Sequence, residues 1–256
     1  MKIAVITGAS SGIGREFVRQ VGAGECLDEI WVIARRAERL RRLADQCQTP
    51  VRPLPLDLTQ PAALTELSDL LKEVSPDIAL LICAAGFGKI GSYADIPLPE
   101  CEQMIDLNCR ASVTVILSCL PYMNRGGRIL AISSTSAFQP FPQLALYAAS
   151  KAFLLRYARA LRWELRQRGI HVTAVCPYWI DDTEFIPTAK EGESSGAIRH
   201  FPFAGKAARV ARAALRDSRL NFAVSTPGPV CTLHRLLAKF VPHALLMAGW
   251  EGLRRI

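Results

Sequence analysis

Tyr147 and Lys151 stand four residues apart in "QLALYAASKAFLLRYARAL", a stretch of helical pattern. At that spacing the two side chains share one helix face and lie side by side. An ammonium next to a phenol favours the phenolate, so it should draw a pKa that is ordinarily about 10 toward useful acid–base range. A phenol tuned in this way can protonate a carbonyl oxygen or take the proton back from a hydroxyl. Alone, the spacing is also that of everyday surface pairing, and its meaning depends on what else the chain places nearby.

The second cluster is "VITGASSGIGRE", residues 5–16, where Gly8, Gly12 and Gly14 crowd between an apolar run and a segment able to form a helix. Clustered glycine is entropically costly, and in this context it marks a turn that brings backbone close to a bound group. The unpaired N–H groups and positive end of the following helix would stabilise a pyrophosphate there, with the last glycine opening the helix. In such dinucleotide sites an acid about 20 residues farther on bonds the adenosine ribose hydroxyls. Here that place reads "VIARR": Ala34, then Arg35 and Arg36. Two guanidiniums and no carboxylate favour a 2′-phosphate, hence NADP over NAD, although Arg36 could equally begin a solvated helix.

These groups need a frame. Short apolar runs recur at 2–7, 29–34, 51–56, 78–83, 128–133, 170–175 and 221–226, separated by segments of helical pattern. Continuous apolar runs of this length are what strands covered on both faces require, so the alternation predicts an α/β chain with a doubly wound parallel sheet, a Rossmann-type fold. No linker or repeat divides residues 1–256, which are read as a single domain. Residues 183–205, "TEFIPTAKEGESSGAIRHFPFAG", interrupt the rhythm after a late strand and are expected to form a substrate lid whose Phe185, Ile186, Phe201 and Phe203 make the pocket apolar.

Composition narrows the field. Half of the 256 residues are hydrophobic, ample for a folded core. The net charge of +8 is spread over helical segments with interleaved acids, which argues against nucleic acid and fits an anionic cofactor or surface. The eight cysteines form no C-x-x-C pair, so buried free thiols in a reducing cytoplasm are expected, with neither disulfides nor metal. No leader pattern opens the chain, and no segment reads as the roughly 20 apolar residues needed to span a bilayer.

Taken together, the motifs resemble the short-chain dehydrogenase/reductase family over about residues 2–226. "TGASSGIG" matches the T-G-x-x-x-G-x-G turn, and "ISS" precedes Tyr147 by the family interval, with Ser134 thirteen positions upstream. The resemblance implies a catalytic tetrad of Asn108, Ser134, Tyr147 and Lys151. Tyr147 would be the acid/base and Ser134 would hold the substrate oxygen. Lys151 would also bind the nicotinamide ribose, and Asn108 would help hold a proton-relay water. It further implies NADP(H) contacts from Thr7, Gly8, Ser10, Ser11, Gly12, Ile13, Gly14, Arg35, Arg36, Asp57, Leu58, Ala85, Gly86, Pro177 and Thr183. The family's helix pairing implies a homodimer or homotetramer.

Two departures stand out. "CAAG" replaces the usual N-N-A-G, so Cys83 and Ala84 remove two asparagines that tie strands together. "CPYWIDDTEF" replaces the usual P-G turn, and its Tyr178 and Trp179 either narrow the substrate pocket or pack as core. Near the chain end, Leu233, Leu236, Leu237, Phe240 and Val241 recur at helical spacing, with Arg235 and Lys239 off that stripe and Pro242 ending or restarting the helix. Within residues 228–256 such amphipathic helices could cover the substrate pocket, pair subunits, or give peripheral contact with an anionic membrane. The expected activity is interconversion of a hydrophobic ketone or aldehyde with its alcohol; the alternative is an NADPH-binding sensor on the same fold.

Overall fold

The computed structural model describes residues 1–191, 198, 201 and 203–254. The strands are β1 (Lys2–Thr7), β2 (Glu29–Ile33), β3 (Val51–Leu54), β4 (Asp77–Cys83), β5 (Arg128–Ile132), β6 (His171–Val175) and β7 (Val224–Ser225). They form one seven-stranded sheet in the order β3-β2-β1-β4-β5-β6-β7, and every pairing is parallel. All seven expected runs are present, the last reduced to two residues.

Both sheet faces are covered, which is why the strands read as unbroken apolar runs rather than alternating ones. Ile3 and Val5 of β1 join the core under α3 (Pro61–Val74), α5 (Ser112–Cys119) and α6 (Ala145–Glu164). The intervening Ala4 and Ile6 join the opposite core under α1 (Gly12–Gly24), α2 (Ala37–Ala44) and α8 (Ala207–Arg219). Strand order reverses between β1 and β4, and that divergence of the connections opens a crevice at the carboxyl ends of the strands.

Several expectations are corrected. Helix α1 begins at Gly12, two residues before the glycine expected to open it. Cys26 is exposed rather than buried, though all eight cysteines are free. The helical run Leu98–Tyr122 comprises α4 (Leu98–Ile105), a π turn (Asp106–Ala111), α5 and a short 3₁₀ turn, and by length and composition it is long and apolar enough to cross a membrane. It is nevertheless a core helix, with Met104, Ala111, Val115, Ile116 and Cys119 all buried. The predicted lid starts with α7 (Phe185–Lys190); its residues 192–197, 199, 200 and 202 lie outside the described residues. Phe203 is exposed and adds nothing to a pocket wall.

Pro242 separates α9 (Pro229–Phe240) from α10 (His243–Leu253), as the sequence anticipates. The side of α9 turned toward the 135–138 turn carries Cys231, His234 and Ala238, whereas Leu233, Leu236, Leu237 and Phe240 face solvent. The surface beneath offers the Phe138 and Phe141 rings, which meet His234 edge-on at 5.8 and 5.6 Å. A narrow face of small and aromatic side chains fits there, and a leucine stripe does not.

Candidate active site

The crevice holds a cavity of about 590 Å³, in the size range of small-molecule and cofactor sites. The glycine turn forms one end. Gly8 has φ +69°, and a Cβ on it would lie 2.7 Å from the Ala84 and Ala85 backbone; one on Gly14 would lie 2.2 Å from the Gly8 carbonyl oxygen. The turn is therefore closed on itself and on the end of β4, with room only for hydrogen at both positions. Ser10, Ser11, Gly12, Ile13 and Gly14 line the cavity, and no side chain caps the α1 start. Its first N–H groups stay available to an anion.

Thr7, expected among the cofactor contacts, is not at the wall. Its hydroxyl accepts hydrogen bonds from the Ala84 and Ala85 N–H groups, both at 3.1 Å. This ties β1 to β4 and supplies the bracing that the missing asparagines leave undone.

At the end of β2, Arg35 and Arg36 line the cavity beside Asp57 and Leu58. Arg36 directly precedes α2, as its solvated-helix reading anticipated, yet it also works inward: Nε and Nη2 each donate to Ser10 Oγ at 3.2 Å. Its Nη1 pairs with Glu184 at 2.8 Å, and Arg39 pairs with the other Glu184 oxygen. Arg39, with Arg36 beside it, holds the Glu184 carboxyl below the usual range. Glu184 and Arg39 carried no sequence signal, since only folding brings the start of the lid across to β2.

Ser134, Tyr147 and Lys151 converge at the other end. Lys151 Nζ donates to the Ile132 carbonyl at 2.9 Å and lies 5.7 Å from the Tyr147 ring centre. Ser134 Oγ accepts the Ser136 N–H at 3.1 Å and lies near enough to the Tyr147 phenol to act on its acidity. Burial lowers Lys151 to about 8, whereas burial raises Tyr147, against a partial offset from Ser134. The expected downward pull on the phenol is thus overturned. Spacing alone reports adjacency, but here both groups lie in dry surroundings that penalise either charge, and desolvation is the largest cause of both shifts.

Asn108 is fully buried in the π turn and does not reach the cavity wall. Its Nδ2 donates to the Phe87 carbonyl and Ser150 Oγ, and its Oδ1 accepts the Phe87 N–H. A Cβ on Gly86 would meet Asn108 Oδ1 at 2.8 Å and Lys151 Nζ at 3.1 Å, so the two side chains flank that glycine.

Ala85, Gly86, Pro177 and Thr183 line the cavity as expected, and so do Tyr178 and Trp179. Of the lid residues expected to make the pocket apolar, Phe185 lines it while Ile186 and Phe201 do not, and Phe141 and Trp250 add aromatic wall beside the polar Lys89, Glu100 and Gln103. Phe185 lies 5.4 Å from the Tyr147 ring, Phe201 packs on Trp179 at 4.6 Å, and Phe141 on Trp250 at 5.1 Å. Trp250 donates to the Pro142 carbonyl at 3.1 Å, so α10 closes the pocket. No local pattern around Trp250 foretold this.

His234 supports the same wall. It hydrogen-bonds Gln139 at 3.0 Å, and burial lowers its pKa to about 4. The unfolded chain, with a histidine near 6.5, binds more protons between those values. The stabilisation is therefore complete above pH 6.5 and is lost as pH falls toward 4, by up to about 3 kcal/mol. Thermal melts should show that acid slope, and His234→Phe should flatten it; an unchanged slope would put the acid sensitivity elsewhere.

The comparisons agree with this geometry. The family model for short chain dehydrogenases matches residues 2–194. An uncharacterized oxidoreductase of Staphylococcus saprophyticus is 33% identical over 190 residues, covering 70% of this chain and 79% of that protein. The solved short-chain dehydrogenase from Sphingobium yanoikuyae, in complex with NADPH, superposes with a TM-score of 0.79 at 28% identity over 99% of this chain and 95% of its own. A variant of actinorhodin polyketide ketoreductase with NADPH gives 0.73 at 26% identity, over 87% of this chain and 94% of its own. The chain belongs to the short-chain dehydrogenase/reductase family.

Proposed function

We propose that this chain is an NADP(H)-dependent oxidoreductase that interconverts an apolar ketone or aldehyde with its alcohol. The observation that carries the reading is one cavity with a glycine turn at one end and Ser134, Tyr147 and Lys151 converging at the other. The residues suit a dinucleotide: a turn where added Cβ atoms would collide, an uncapped helix start, and arginines at the end of β2. The NADPH complexes of the two solved relatives support the same cofactor. When bound, that cofactor supplies the hydride.

The chain's own residues do the rest. Ser134 and the Tyr147 hydroxyl both bond the substrate oxygen, opposing the negative charge that grows there, and Tyr147 delivers its proton. A phenol held above its ordinary pKa is fully protonated at neutral pH, which suits reduction. Lys151 resupplies the proton and holds the ribose, while Asn108 acts through Ser150 and the Phe87 backbone to fix its surroundings. Tyr178, Trp179, Phe185 and Trp250 exclude water and select an apolar substrate. The exposed Leu117, Phe153 and Trp163 on α5 and α6 support helix-paired dimers or tetramers, and a cytoplasmic location belongs to the same reading.

NADPH oxidation should accelerate with aryl or long-chain ketones and much less with acetone. Replacing Arg35 and Arg36 by alanine should raise KM for NADPH tenfold or more, each charge-assisted contact contributing about 1.5–3 kcal/mol, while NADH kinetics change little. Tight NADPH binding with no turnover on any carbonyl would instead indicate a sensor.

A further inference from the structure

We infer that α9 docks this protein onto an anionic lipid bilayer. The helix buries Cys231 and turns Leu233, Leu236, Leu237 and Phe240 outward, with Phe240 74% and Leu233 58% exposed. At 100° per residue these four share one face, opposite the side on which α9 is seated. Leu245, at the start of α10, continues the apolar surface beyond Pro242 and is 64% exposed. Lys239, exposed, borders this face with its Nζ 5.3 Å from the Phe240 ring centre, and Arg235, also exposed, lies farther round the helix, one turn from the seated Cys231. An apolar face with a lysine at its edge is the form of a helix lying in a bilayer interface, side chains in the acyl boundary and the charge among the head groups. Twelve helical residues span about 18 Å, too short to cross the hydrocarbon, so α9 lies flat.

Charge decides between lipid and a second copy. No aspartate or glutamate occurs between Asp217 and Glu251, so neither α9 nor the start of α10 carries an acid to answer Lys239. Two-fold pairing through the same stripe would bring the cations of both copies together uncompensated. A single short helix also offers much less than the roughly 800 Å² per partner that stable association buries. Anionic head groups answer both points: they neutralise the lysine, and they need no self-complementary shape.

The position gives the docking a use. The inward side of α9 sets His234 against Phe138 and Phe141, and α10 contributes Trp250 to the cavity, so the helices that would rest on lipid are also a wall of the pocket. An apolar carbonyl dissolved in the bilayer then has a short route in. That delivery step rests on the proposed reductase activity; the docking does not.

The test is co-sedimentation of the full-length protein with vesicles of mixed phosphatidylcholine and phosphatidylglycerol, against phosphatidylcholine alone. Wild type should bind the mixed vesicles, and the exposed-face double variant Leu236→Glu, Phe240→Glu should bind more than tenfold less. The double variant should keep its melting temperature and its NADPH turnover on a water-soluble carbonyl. Lys239→Gln, which removes the exposed cation at the edge of the stripe, should weaken binding about fivefold at low salt. Wild type remaining in the supernatant, or variants binding like wild type, overturns the inference. So does a smaller assembly formed by the double variant in analytical ultracentrifugation without vesicles, because the face would then belong to a second copy. Vesicle binding without any carbonyl turnover sinks the reductase reading and leaves the docking intact.

Discussion

Tyr147→Phe is expected to lower kcat for carbonyl reduction by about 10³-fold, the middle of the range for removing a positioned general acid, while NADPH affinity stays within about twofold. The ring keeps its packing against Phe185, and only the hydroxyl near Ser134 disappears. Pre-steady-state hydride transfer read at the NADPH absorbance separates this from slow product release. A variant within tenfold of wild type would take proton donation away from Tyr147. In the wild-type chain, Lys151 at about 8 should give kcat/KM for reduction an alkaline limb. Below that value the ammonium is charged and can resupply the proton; above it the charge is lost and the rate falls. The phenol itself, held high by burial, should not set the limb.

Gly14→Ala is expected to abolish measurable NADPH binding, a loss of at least about 100-fold, and to cost about 2–4 kcal/mol of stability. The new methyl would sit 2.2 Å from the Gly8 carbonyl oxygen and 2.7 Å from its carbon. Those are backbone atoms, and Gly8 is itself held by its N–H bond to the Ile33 carbonyl at 2.8 Å. Neither side can yield without opening the turn. Gly12→Ala is the informative contrast: its Cβ would touch only the Thr183 side chain, at 3.4 Å, although φ +51° adds strain. It should cost less in both assays. Equal losses for the two variants would mean that generic turn strain, rather than the Gly8–Gly14 contact, governs the site.

Much of the site was legible because its chemistry is carried by local motifs. Y-x-x-x-K works through helical periodicity, and T-G-x-x-x-G-x-G through backbone that tolerates no side chain. Both constraints act within about eight residues and so survive in the primary structure. Arg36 was legible for the same reason, as a cation directly after a strand. Its partners were not: Ser10 lies 26 positions away and Glu184 lies 148 positions away.

The amino-acid sequence by itself determined the parallel sheet, the glycine turn and the tyrosine–lysine pair, since hydrophobic period and residue type act at short range. Tertiary structure alone decided three things. It made Thr7 a brace between β1 and β4. It set the direction of the Tyr147 shift upward, because burial, a property of the whole fold, is the largest influence on the phenol. It also turned the α9 leucines outward: helical spacing says which side chains share a face, and only the shape of the surface beneath says which face is covered.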